Sequence, residues 1–168
     1  MNTGQMMLGI VAMALVTIVT LNLNRGSMST QDSLIYNKSF ILATTVAQSV
    51  IDEIQSKKFD EEIVKGTKIY SANDFSSKLG KESGESYPNF DDIDDYNGFK
   101  RSDTIPQMGV FNISVNIKYL TDDLVQTNSQ TYNKNVTIQI ESPSFINFYT
   151  NAKDTVVIST LLSHWTLL

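Results

Sequence analysis

The 168-residue chain contains no cysteine and one histidine, His164. Without thiols it has no disulfide framework, no thiolate metal site and no cysteine nucleophile. A single imidazole excludes a multi-histidine metal centre within one chain, and a Ser-His-Asp arrangement would have only one possible base. Basic side chains are also scarce, with 13 Lys and Arg against 18 Asp and Glu and no Lys/Arg run longer than two. The chain therefore lacks the basic patch of a nucleic-acid binder, and no nucleic-acid partner is expected. G-x-S-x-G, P-loop and G-x-G-x-x-G patterns are absent, so nothing points to an enzyme and no cofactor is expected. Proline is missing before Pro88, and charge is missing from residues 1–24, where Arg25 is the first charged side chain.

The uncharged N-terminal stretch is strongly apolar. Residues 6–21, MMLGIVAMALVTIVTL, are interrupted only by Gly9 and two threonines. A helix of about 20 such residues crosses a bilayer. A secretory signal would carry a positive n-region and a small-residue cleavage site; this stretch has no Lys or Arg before its apolar run.

The pattern continues past residue 30. Tyr36, Phe40, Ala43, Ala47, Val50 and Ile54 form an apolar stripe at helical spacing, with Lys38, Thr45, Gln48, Asp52 and Gln55 between them. With no proline in the way, the spacing predicts one helix over residues 5–57, with Gly26-Ser27 as its weakest point. Such a helix would be about 80 Å long. Its first half would be an apolar rod that has to lie in lipid or against copies of itself, because burying apolar surface is worth about 25 cal/mol per Å2. The expected organisation is an apolar membrane or core segment over 1–30 and an amphipathic half over 31–58.

Residues 59–105 are polar, glycine-containing and without clear period, and read as a connecting region with one short helix near SANDFSSKLG. The period then changes to 2. Phe111, Ile113, Val115, Ile117 and Tyr119 alternate with polar residues, as do Val136, Ile138 and Ile140, and DTVVISTLLSHW gives a third strand. TDDLVQTNSQ and SPSFINFYTNAK read as loops. Residues 106–168 are thus expected to form a three- to four-stranded antiparallel meander, covered by the stripe of residues 36–54, in an α+β fold.

A long N-terminal helix, apolar then amphipathic, followed by a connecting loop and an antiparallel meander, resembles the type IV pilin and pseudopilin family. AQSVIDEIQSKKFDE and FDDIDDYNG are similar to stretches in pilin-like proteins of pilus and secretion systems. The resemblance implies a structural subunit that sits in membrane lipid, is handled by a dedicated assembly machinery, and polymerises with itself into an extracellular filament. Met1, Gln5, Leu8, Gly9, Ile10, Val11, Leu15, Ile18 and Val19 would then form the self-assembly surface. Small residues would admit close helix approach and the larger ones would fill the space between helices. Family members usually carry Glu at the fifth mature residue; with Met1 as the mature start, Gln5 falls there. A basic leader, cut from family members, is expected to be already gone or unused. The competing expectations are a pseudopilin that forms no long filament and a single-span anchor for an extracytoplasmic binding domain.

Two further groups bear on chemistry. DDIDDYNG gathers Asp91, Asp92, Asp94 and Asp95, an oxygen-rich stretch of the kind that holds Ca2+. The EF-hand pattern fails, since counting from Asp92 puts Asn97 where the invariant glycine belongs. The expectation is a solvated acidic turn closed by Asn97-Gly98, with no metal. His164-Trp165, at a strand end, reads as structural.

Overall fold

The computed structural model describes residues 2–146 and 153–166. The chain divides into two compact units, Met1–Lys38 and Ser39–Leu168. Helix α1 runs without interruption over Thr3–Gln55 and so belongs to both. It passes through Gly26, whose carbonyl accepts the Thr30 hydroxyl at 3.0 Å. In the first unit, residues 3–31 of α1 are exposed throughout.

In the second unit, Ser39, Ala43, Ala47, Val50, Ile51 and Ile54 are the buried residues of α1. Phe40, expected on the inward stripe, is 42% exposed. Ser39 takes the inward place, because Ser39, Ala43 and Ala47 at four-residue spacing form one row of small side chains along the helix. The Ser39 hydroxyl lies 3.5 Å from the Met108 sulfur.

A one-turn helix, α2 (Glu61–Val64), follows, capped by the Asp60 carboxylate, which accepts the Glu62 amide at 3.1 Å. Two short 3-10 turns, Ala72–Asp74 and Asp94–Tyr96, punctuate the connecting region. The first lies within the segment expected to hold a short helix.

The sheet is antiparallel. Its strands are β1 (Lys100–Ile105), β2 (Gly109–Leu120), the two-residue β3 (Gln126–Thr127), β4 (Asn133–Ile146) and β5 (Lys153–Ser163), in the order β1-β2-β4-β5, with β3 on the end of β2. Opposite pairs such as Val115 with Ile138 and Ile138 with Ile158 fix the register. Phe111, Ile113, Val115 and Ile117 of β2 and Val136, Ile138 and Ile140 of β4 are buried in one core with Ala43, Ala47, Val50, Ile51 and Ile54 of α1, and Tyr119 of β2 is buried as well. The α+β arrangement of helix on meander is the one the pattern predicts.

Two expectations need correction. The sheet begins at Lys100 rather than at 106. β1, KRSDTI, shows only half-burial alternating with exposure, so it carries no apolar alternation to read; it is an edge strand held by backbone pairing to β2. Residues 142–146 also continue β4 rather than forming a loop. A register shift falls between Glu141 and Ile146, which accommodates Pro143 and turns Phe145 inward, 5.6 Å from the Phe111 ring. Of the rest of that expected loop, 147–152 lie outside the described residues and Lys153 begins β5. At the other end of β5, His164–Thr166 form a 3-10 turn.

Ala47 is fully buried and Ser49 is exposed on the same helix. Ala47→Leu should overpack the helix–sheet contact and cost about 1–3 kcal/mol, whereas Ser49→Leu should stay within about 0.5 kcal/mol. Urea unfolding of the detergent-solubilised chain, followed by circular dichroism, measures both.

Candidate functional site

The expected assembly segment occupies the first unit. Leu8, Ile10, Val11, Leu15, Ile18 and Val19 are between 54% and 72% exposed. α1 is long and apolar enough to cross a membrane, and its most apolar stretch has no part buried within the chain. The two threonine hydroxyls within the apolar run are satisfied internally: Thr17 donates to the Met13 carbonyl at 2.9 Å and Thr20 to Val16 at 2.8 Å. Such back-bonding lets hydroxyls sit on an apolar surface without an unmet donor. A Cβ built at Gly4 or Gly9 would meet nothing within 4 Å, so nothing inside the chain requires glycine there. The first turn of α1 carries no acidic residue; Gln5 lies in it, and Met1 lies outside the described residues.

The second unit holds a buried charge cluster. On β4 the inward parity that buries Val136, Ile138 and Ile140 also points Lys134 into the core, with no exposed side-chain surface. Its ammonium donates to the Phe59 carbonyl at 2.6 Å, to Asp60 Oδ2 at 3.1 Å and to Asp94 Oδ1 at 2.6 Å. It also lies 4.3 Å from the Phe59 ring centroid and 5.1 Å from that of Tyr119. Asp60 further accepts the Ser76 amide and hydroxyl, and the Tyr119 hydroxyl lies 3.2 Å away. Burial alone would raise the Asp60 pKa, but Lys134 and the Glu62 and Ser76 amides hold it below the ordinary value. At Asp94 burial wins, pushing the pKa up to about 7 despite Lys134 beside it. One ammonium thus bridges two buried carboxylates, Asp60 held below its ordinary pKa and Asp94 raised above it.

The acidic stretch is not the solvated turn its composition suggests. Asp92, Asp94 and Asp95 are 0%, 1% and 2% exposed; only Asp91 faces water. The reason is tethering from three sides. Lys58 donates its amide to the Asp91 carbonyl and accepts the Ile93 amide. Tyr96 donates its hydroxyl to Glu53 on α1 at 2.7 Å. Asn97 accepts the Ile117 amide at 3.0 Å, and Gly98 pairs with Val115, so this segment fills the β2 edge between β1 and β3. Gly98 holds φ at +80° there, a conformation that favours glycine. The four aspartates do not converge on one point. Asp94 goes to Lys134, and Asp92 Oδ1 accepts the Asp95 amide at 3.1 Å. Burial and the neighbouring aspartates push Asp92 up to about 8.

His164 is 8% exposed and packs within 5.5 Å of the Phe59 and Phe75 rings. Burial lowers its pKa, disfavouring the charged form of this core ring. Sequence reasoning missed Lys134 and Asp60. The signal for Lys134 was its parity with Val136, Ile138 and Ile140; Asp60 carried only a weak one, a capping position before Glu61.

No family model, curated protein or solved structure matches the chain.

Breaking the buried pair leaves a desolvated carboxylate, so Lys134→Met should cost about 3–5 kcal/mol. The surface pair Lys65–Glu62 provides the contrast: Lys65→Ala should change stability by less than about 1 kcal/mol. Denaturant midpoints of the two variants against the parent chain separate these effects.

Proposed function

We propose that this chain is a structural subunit of an extracellular filament resembling type IV pili, and that it polymerises through the N-terminal part of α1. One observation carries the reading: an uncharged helical segment, apolar on all sides, continues into a helix that covers the sheet of a folded unit. A helix apolar all round needs lipid or protein around it, and none of the described residues covers it.

Before assembly, residues 5–24 would hold the monomer in lipid. In the filament the same surface would pack against neighbouring copies. Gly4, Gly9, Ala12 and Ala14 would admit close approach while Leu8, Ile10, Val11, Leu15, Ile18 and Val19 fill the space. Exchanging lipid contacts for helix contacts is close to neutral in hydrophobic terms, so extraction from the membrane would be driven by an assembly machinery. Gln5 would accept a hydrogen bond from a neighbouring subunit's amine but could not neutralise its charge.

Electron microscopy of sheared surface material, with N-terminal sequencing of the subunit, tests the reading. Regular filaments built from this chain are expected; recovery solely as membrane-embedded monomer would sink it. Leu15→Lys puts a charge, costing about 2.5–3.5 kcal/mol at mid-membrane, on the assembly surface and should abolish filaments. Gln5→Glu should preserve or increase them.

A further inference from the structure

A buried amine in contact with a buried carboxyl group has chemistry beyond charge pairing. The side chains of Lys134, Asp60 and Asp94 are 0%, 0% and 1% exposed. Lys134 Nζ is fixed by its three bonds, to the Phe59 carbonyl, to Asp60 Oδ2 and, at 2.6 Å, to Asp94 Oδ1. The Phe59 and Tyr119 rings lie over it, with centroids 4.3 and 5.1 Å away.

The two carboxyl groups differ. Asp60 is anchored: Oδ1 accepts the Glu62 amide and the Ser76 hydroxyl, and the Tyr119 hydroxyl lies 3.2 Å from Oδ2. Asp94 meets Lys134 through Oδ1, while its Oδ2 is buried and no donor among the described residues reaches it. Burial, opposed by Lys134 and aided by the negative charge of Asp60, pushes the Asp94 carboxyl up to about 7. A protonated carboxyl carries a hydroxyl that an attacking amine can displace as water.

We propose that Lys134 and Asp94 join in an amide bond that forms within the folded chain, with Asp60 as the base. Asp60 Oδ2, 3.1 Å from Nζ, takes one proton from the ammonium and frees the nitrogen lone pair. The amine attacks Cγ of the protonated Asp94 carboxyl. The bond from Cγ to Oδ2 then breaks, and Oδ2 leaves as water with the carboxyl proton and a second proton from nitrogen. The product is a neutral Nζ–Cγ amide whose oxygen is Asp94 Oδ1, and Asp60 keeps the first proton. Nothing is oxidised or reduced, and net charge is unchanged.

Two effects favour the step. Contact within the fold replaces a bimolecular encounter. A buried ion pair is also exchanged for a buried neutral amide, whose desolvation costs far less than that of charges. The Phe59 carbonyl, 2.6 Å from Nζ, stays in place to accept the amide N–H. The bond ties β4 to the 3-10 turn before β1, linking positions 40 apart, in a chain with no cysteine for a disulfide. It belongs to the second unit and does not rest on polymerisation.

Intact-mass spectrometry of the full chain, purified in detergent and incubated folded at neutral pH, reads the bond directly. The expected mass is that of the chain less one water. Tryptic digestion should yield a branched peptide joining the segment that holds Asp94 to the segment that holds Lys134, with no cleavage after Lys134. Asp94→Ala and Lys134→Met should each restore the full mass. Asp60→Asn keeps both bonding partners and should slow linkage by on the order of 100-fold in a time course after refolding from inclusion bodies. A parent chain that keeps its full mass after prolonged incubation overturns the proposal, as does a lost water that maps to any other residues. An Asp60→Asn chain that links as fast as the parent overturns the assigned mechanism. Should the variants fail to fold, the parent's mass and its branched peptide decide alone.

Discussion

A lysine ammonium with no exposed surface sets the terms for the second unit. Lys134 sits at an inward position of a central strand, where the neighbouring inward residues are Val136, Ile138 and Ile140. Charge in such a place is expensive unless every proton of the ammonium is met. It is met by three separate pieces of chain: the Phe59 carbonyl, the Asp60 carboxylate that also caps α2, and Asp94 in the acidic stretch. The demand of one side chain therefore draws the end of α1, the start of the connecting region and the turn before β1 to one point. It also explains why a polar, irregular segment is buried at all.

The parts of the fold legible in the sequence are those where burial follows a period. The helix and the inward faces of β2 and β4 announce themselves by apolar spacing, and the third strand β5 by its β-branched residues. β1 does not, since an edge strand with half-exposed residues needs no apolar alternation, and it is held by backbone pairing to Gly109–Ser114 of β2 rather than by a pattern of side chains. Phe40 misled for the opposite reason. It has the right chemistry for the stripe, but the helix approaches the sheet along its row of small residues, and Ser39 fits that approach better. Composition alone points the wrong way for the acidic stretch. Four aspartates in five positions suggest solvent, whereas Lys58, Glu53 and the β2 edge, all distant in sequence, hold the segment inside.

α1 is a single helix with two compositions. Up to Asn24 it carries no charge and is exposed throughout its described length; from Ser39 it contributes a narrow buried face to a mixed core. Neither half explains the other. A helix that served only to cover the sheet would need nothing before residue 39, and a membrane anchor alone would need no regular continuation into a core helix. One element therefore carries two separate burial requirements, an all-round apolar surface in its first part and a single buried face in its last.

The charge distribution leads to a related asymmetry. The buried cation is already claimed: Asp60 takes the charge of Lys134, and Asp94 bonds it with a raised pKa. The remaining carboxylates of the connecting region, Glu82, Glu85, Asp91, Asp92 and Asp95, find no lysine or arginine among the ion pairs of the described residues. In a chain with fewer basic than acidic residues, neutralising them from within would mean moving a lysine from a surface where its solvation is favourable. Pairing between carboxyl groups is what the geometry provides instead: the Glu82 and Asp95 side chains each hydrogen-bond Glu85, and burial together with those contacts pushes Glu82 up to about 8 and Asp95 up to about 6. A proton held between two such groups ties separate parts of the irregular stretch to Glu85.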